Sequence, residues 1–267
     1  MRSSLRCFAA LVMLALQLMG IGLGHAQEAP KPRRSGAEFM NPDLQAMQRD
    51  DALNPGMLWV KQGHDLWQRQ PTASTRTSNR SCASCHGEAS QSMRGVAARY
   101  PAFDDVSKRP INLTQRINLC RVNQSQAPAW RAESAELLAM ESYIALQSRG
   151  LPITPPSDAR LQPFIDQGQQ RYNQRMGQLN LSCAQCHDER AGLRLGGNLI
   201  PQAHPTAYPV YRLEWQGVGS LQRRLRNCMS GVRAQAYPFG APELVELELY
   251  LAAQARGMSL ESPGVRP

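Results

Sequence analysis

Two copies of one short pattern constrain this chain more than anything else in it: "SCASCH" at 81–86 and "SCAQCH" at 182–187. Cys-x-x-Cys-His puts two thiols one helical turn apart, with an imidazole directly after the second. That arrangement lets both thiols bond the vinyl groups of a haem while the imidazole reaches its iron from one side. The 267 residues hold only 7 Cys and 5 His. With that composition, one chance match is expected in about 0.003 of such sequences. Two other chemistries use the same residue types. A zinc site needs further Cys or His at short spacing, and a thioredoxin-like pair needs a βαβ setting; neither context is present. The motifs predict two covalently bound c-type haems. One attaches through Cys82 and Cys85 with His86 on its iron, the other through Cys183 and Cys186 with His187.

The similarity extends beyond the motifs. A solitary cysteine follows each one, Cys120 at 38 residues past Cys82 and Cys228 at 45 past Cys183. A helical pattern then closes each repeat, "ELLAMESYIALQSRG" at 136–150 and "ELVELELYLAAQARG" at 243–257. Tyr143 aligns with Tyr250 and Gln147 with Gln254. Pro242 suits a first helical position, Glu243 and Glu246 suit the positive N-terminal end, and Gly257 suits the stop. Weaker helical stretches precede the motifs at 57–69 and 161–175, and strand-like alternation is scarce. These features predict a mainly α fold of two tandem c-type cytochrome domains related by internal duplication, over 56–154 and 155–267. The Pro-rich "LPITPPSD" at 151–158 marks the boundary between them.

Residues 1–26 read as a secretory signal peptide: Arg2 and Arg6, then "FAALVMLALQLMGIGLG", then "GHA" with cleavage after Ala26. Cys7 leaves with that leader, and a periplasmic location follows. No later stretch is apolar for long enough to span a bilayer. Residues 27–55, rich in Pro, Arg and Gln, read as an extended N-terminal arm that wraps a neighbour or stays disordered. The formal charge of +9 drops to about +7 without the leader arginines. Its basic residues are scattered and not interleaved with aromatics, which excludes a nucleic-acid groove and favours an anionic small molecule or protein as partner.

The second axial position on each iron has several candidates. Met93, Met140, Met176, Met229 and Met258 are available, although Met more often fills core gaps. His64 and His204 do not occupy matching places in the repeats; Cys120 and Cys228 do. Their placement favours thiolate ligation of both irons, against a Cys120–Cys228 disulfide or two inert buried thiols. The two cysteines differ in setting. Cys120 lies in "RINLCRVNQ", whereas Cys228 follows "LQRRLRN". If 220–229 is helical, Arg224 lies one turn before Cys228 on the same face, while Arg223 and Arg226 point elsewhere. An arginine there lowers the thiol pKa and offers a planar fork to a sulfonate-like or carboxylate group. Contact with haem propionates or a solvated helix face remains the alternative for all three arginines.

This combination resembles the SoxA family, the dihaem subunit of the SoxAX cytochrome complex of bacterial thiosulfate oxidation, over essentially the whole chain after the leader. The resemblance implies Cys120 and Cys228 as distal iron ligands, Cys228 as the catalytic residue carrying a persulfide, and Arg224 as the substrate-binding residue. It implies an L-cysteine S-thiosulfotransferase that joins thiosulfate to a cysteine of the carrier protein SoxYZ. Two electrons pass through haem to the monohaem cytochrome SoxX, a heterodimer partner, and on to a soluble cytochrome c. Two other readings stand beside it: a thiosulfate dehydrogenase forming tetrathionate, and a non-catalytic dihaem electron carrier.

Overall fold

The same succession of elements is built twice. In the computed structural model, which describes residues 32–71 and 80–267, helix α1 (Pro42–Arg49) precedes the first repeat. That repeat runs α2 (Met57–Gln68), the motif helix α3 (Cys82–His86), the hairpin β1 (Ala102–Asp104) and β2 (Arg109–Ile111), α4 (Leu113–Asn123) and α5 (Ala135–Leu146). The second runs α6 (Gln162–Asn173), the motif helix α7 (Cys183–His187), a small hairpin β3 (Arg194–Leu195) and β4 (Asn198–Leu199), the hairpin β5 (Val210–Arg212) and β6 (Gly217–Gly219), α8 (Leu221–Gly231) and α9 (Pro242–Gln254). Strand β7 (Gly264–Arg266) ends the chain and lies parallel to β5. The expected leader at 1–26 lies outside the described residues.

Each repeat is organised by a close helix crossing. On α2, a Cβ at Gly63 would lie 2.1 Å from the Ala139 carbonyl oxygen and 2.6 Å from Tyr143 Cβ of α5. On α6, a Cβ at Gly168 would lie 2.2 Å from the Glu246 carbonyl oxygen and 2.7 Å from Tyr250 Cβ of α9. Only a residue without a side chain lets the two backbones come this near. One turn after each glycine, a buried aromatic clips the residue that follows the motif histidine. Trp67 Nε1 donates to the Gly87 carbonyl at 2.9 Å, and the Tyr172 hydroxyl donates to Asp188 Oδ1 at 2.7 Å. The crossing thus positions the motif helices, which are themselves started by Ser81 and Ser182 side chains accepting from the backbone N–H of Ser84 and Gln185.

The two solitary cysteines turn out to be equivalent at the level of structure. Each hairpin, β1–β2 or β5–β6, leads directly into a capped helix, with Asn112 and Ser220 as the N-caps. Cys120 and Cys228 each stand seven residues after the first residue of their helix. The unequal spacing in the sequence comes from the longer connection that holds β3 and β4 in the second repeat.

Residues Arg33–Pro267 form one compact unit. The segment read as a boundary is a packed seam: Ile153 is buried, its N–H donates to the Met258 carbonyl at 2.8 Å, and Gly257 N–H donates back to the Ile153 carbonyl at 2.8 Å. At the same seam the aligned helices α5 and α9 carry Glu141 and Glu248, each two residues before its aligned tyrosine. Glu248 Oε2 accepts from Asn112 Nδ2 at 2.9 Å and Gln222 Nε2 at 3.3 Å. These two donors come from different repeats. Burial, followed by their mutual repulsion, raises the Glu141 carboxyl well above its ordinary range, and burial raises Glu248 to about 7.

The expectation of an extended or disordered arm needs correction for the described part of 27–55. Residues Gly36–Phe39 form a 3-10 turn, closed by a reciprocal Ser35–Glu38 capping box, and Pro42–Arg49 is helical. The segment is fastened to its own chain's second repeat. Arg33 Nη1 donates to the carbonyls of Gln254 and Arg256 at 3.1 and 2.7 Å, and Val265 N–H donates to Gln48 Oε1 at 3.0 Å. Composition had suggested a solvated tail. The side chains that decide the matter are polar, and their partners lie more than 200 residues away.

Candidate functional site

In the second repeat, His187 is oriented from behind: its Nδ1 lies 2.7 Å from the Pro201 carbonyl oxygen. That contact leaves Nε2 facing the pocket, the tautomer a metal-ligating histidine uses. The Cys228 thiol lies in hydrogen-bond reach of this imidazole. Burial alone would push the thiol up, but the His187 bond and the charges of Arg224 and Arg212 outweigh it and hold Cys228 below its ordinary value. His187 is raised for the reciprocal reason: burial opposes its charge, and the Cys228 bond more than offsets that.

Around this pair is a cavity of about 170 Å³, lined by Tyr208, Arg212, Arg224, His204 and, from the N-terminal segment, Phe39 and Met40. Arg224 therefore faces the site from one turn before Cys228. Arg223 stacks on Trp215 at 4.2 Å, and Arg226 stacks on Phe239 at 4.4 Å. Sequence reasoning did not find Arg212, Tyr208 or the covering N-terminal segment. Their elements are remote in sequence, and a pocket lined from several elements leaves no local pattern.

The first repeat brings Cys82, Cys85 and Cys120 together, close enough for their charges to interact. His86, Cys85 and Cys120 are exposed, and Trp67 lies 5.8 Å from the His86 ring. Desolvation raises the Cys120 thiol, the opposite of Cys228. A cation also stands one turn before Cys120, but this Arg116 is paired with Asp104 at 2.9 Å and its pull on the thiol is outweighed by burial, while Arg121 stacks on Trp130 at 3.7 Å. His64 lies on the outer side of α2 against Tyr143. Met93, Met140 and Met229 are buried among apolar neighbours and fill the cores of the repeats.

All six cysteines of the described residues are free thiols, and Cys120 and Cys228 each sit with their own motif. The donors fit a c-type haem. Among the described residues no three His, Cys, Asp or Glu side chains converge on a point as a chelated ion would require. Each repeat instead offers two thiols on one helical turn, a histidine next to them, and a further sulfur from a separate helix. Leu119 and Val122 flank Cys120 as exposed apolar side chains, a surface suited to the face of a macrocycle. His86 with Cys120 in the first repeat, and His187 with Cys228 in the second, are the residues that could hold a haem iron.

Known proteins share this organisation. The family model described as "SoxA/TsdA, cytochrome c domain" matches twice, over residues 62–153 and 167–260, one copy per repeat. The chain is 36% identical over 233 residues to the L-cysteine S-thiosulfotransferase subunit SoxA of Pseudaminobacter salicylatoxidans, covering 87% of this chain and 80% of that protein. It is 32% identical to the subunit of the same name from Paracoccus pantotrophus, over 87% and 78% of the two chains. The crystal structure of SoxXA from P. pantotrophus superposes with a TM-score of 0.82 at 31% identity, covering 88% of this chain and 87% of the other. With both repeats matched and both motifs inside the matched segments, this chain belongs to the SoxA/TsdA family of c-type cytochromes.

Proposed function

We propose that the chain carries two covalent c-type haems and works as the L-cysteine S-thiosulfotransferase its relatives are named for, joining thiosulfate to a cysteine of a SoxYZ-type carrier protein. The observation that carries this reading is the contrast between the two equivalent cysteines: Cys228 lines one pocket with Arg224 and Arg212, whereas Cys120 is exposed and the arginine one turn before it, Arg116, is paired with Asp104. A sulfur placed next to arginines suits chemistry with an anionic sulfur compound.

In this mechanism Arg224 takes the sulfonate end of thiosulfate through charge-assisted hydrogen bonds and aims the outer sulfur at Cys228. The carrier thiol and thiosulfate then form one S–S bond. The carrier thiol gives up its proton, two electrons leave, and the product is the carrier cysteine bearing –S–S–SO₃⁻. Haem bound beside Cys228 supplies the electron acceptor. His187, anchored on the Pro201 carbonyl, keeps the imidazole in place, and Phe39 and Met40 limit water at the site. A SoxX-type monohaem cytochrome, suggested by the SoxXA match, takes the electrons onward to a soluble cytochrome c, in the periplasm to which the leader points.

The test is intact-mass analysis of the purified mature protein without reductant. Two haem additions and one extra sulfur mapped to Cys228 support the reading. Turnover of thiosulfate to tetrathionate by the chain without any carrier, or a single haem, would overturn it.

A further inference from the structure

Arg212 is a buried cation, 8% exposed, on strand β5. Its Nε is buried without a hydrogen-bond partner among the described residues; Glu214 Oε1 lies 3.3 Å away, outside bonding alignment. Its guanidinium is braced by the Trp215 ring at 5.2 Å, and Trp215 is itself packed against Gly219 and Arg223. It lines the cavity of Cys228 and Arg224, and its charge is felt by both. Two arginines facing one pocket repel each other, and burying a cation with an unused donor is costly. A fold that nevertheless holds them together there is arranged for an anion.

We infer that Arg212 is a second anion-holding residue of the Cys228 site, which with Arg224 clamps the sulfonate of a dianion of the thiosulfate type. This rests on the function proposed above. Arg224 reaches the anion from the helix that carries Cys228, and Arg212 reaches it from the sheet. Two forks from different elements hold the oxygens at fixed angles and leave the outer sulfur as the part directed at Cys228. Two cations also match a dianion better than a monoanion. The rival occupant with the same chemistry is a haem propionate, and the experiment below separates the two.

The test uses the haem-loaded complex with its monohaem partner, in native form and as Arg212→Gln and Arg212→Lys. Cys228 is alkylated in parallel with anionic iodoacetate and neutral iodoacetamide, followed by mass spectrometry. Both reagents meet the same sulfur, so the ratio of their rates reads attraction for an anion and needs no turnover. Loss of one charge-assisted contact should lower the ratio about tenfold in Arg212→Gln, with part of it kept in Arg212→Lys. Sulfate should suppress iodoacetate in the native protein and not in Arg212→Gln. In turnover the KM for thiosulfate should rise about tenfold with kcat within about twofold. An unchanged alkylation ratio overturns the inference. So does an unchanged KM accompanied by a shifted haem potential, which marks a propionate contact. If the native complex fails to turn over thiosulfate with the carrier, the proposed function falls, while the alkylation ratio still decides the role of Arg212 as an anion holder.

Discussion

The buried glutamate at the seam makes stability depend on pH with a sign opposite to that of a salt-bridged carboxylate. Glu248 titrates near about 7 in the folded chain, against an ordinary value of 4.5. The folded state thus binds this proton more tightly than the unfolded state. The resulting stability is fully present below about pH 4.5, falls as pH rises through the window up to about 7, and is gone above it. A gap of about two and a half units at 1.36 kcal/mol each makes the swing about 3 kcal/mol. Glu248→Gln removes the titration and keeps the shape. The amide oxygen can accept from Asn112 and Gln222, which both address one oxygen, and the amide nitrogen can donate toward Glu141, whose Oε2 has no partner. At pH 8 the variant should be more stable by about 3 kcal/mol, a rise of about 6 °C or more in Tm for a chain of this size. At pH 4 the two should differ by less than about 1 kcal/mol. Urea unfolding of the haem-loaded protein across pH 4–8 measures this. Glu141 and Glu133 are raised as well, chiefly by burial, so the variant keeps a shallower slope of the same sign. Parallel pH profiles for variant and native protein, or a variant that is less stable at pH 8, would refute the reasoning.

Other consequences follow from the geometry. Gly168→Ala and Gly63→Ala each drive a methyl into the backbone of the facing helix, so each should cost about 3 kcal/mol or more in urea unfolding. The motif helix of the affected repeat should lose haem incorporation first, as read from haem absorbance per chain. Cys228→Ala should abolish carrier-dependent thiosulfate turnover, whereas Cys120→Ala should change the absorption spectrum of one haem and leave turnover within about tenfold; equal losses from both would sink the assignment of chemistry to the second site. The bidentate Arg149–Asp51 pair, at 2.6 and 2.8 Å, is exposed. Arg149→Ala should therefore shift unfolding by no more than about 1 kcal/mol.

Much of this molecule is legible in its sequence. The motif helices and the closing helices lie where spacing and end signals place them, because each depends on residues within a few turns. Helix α8 starts at Leu221, as the reading of Arg224 required, and Arg223 and Arg226 do turn away from the site. The unequal offsets of Cys120 and Cys228 obscured a correspondence that becomes plain once both are counted from the start of their helices. The crossing glycines carried no readable signal, since Gly63 and Gly168 sit inside weak helical patterns and only the facing backbone explains them. The N-terminal segment misled for a related reason: polar composition argues for solvation, and Arg33 and Gln48 instead find partners across the fold.

By itself the sequence determined the covalent chemistry: two pairs of thiols with adjacent histidines, a duplicated helical frame, and a second sulfur for each copy. Those properties are local, carried by bonds and by periodicity over a few residues. The arginines near Cys228 are visible in the sequence, but only the tertiary structure decided which of them share its pocket and how far each sulfur is exposed. Desolvation and charge depend on everything within several ångströms regardless of chain position, and the fold surrounds Cys228 with His187, Arg224, Arg212 and its own N-terminal segment while leaving Cys120 open to solvent.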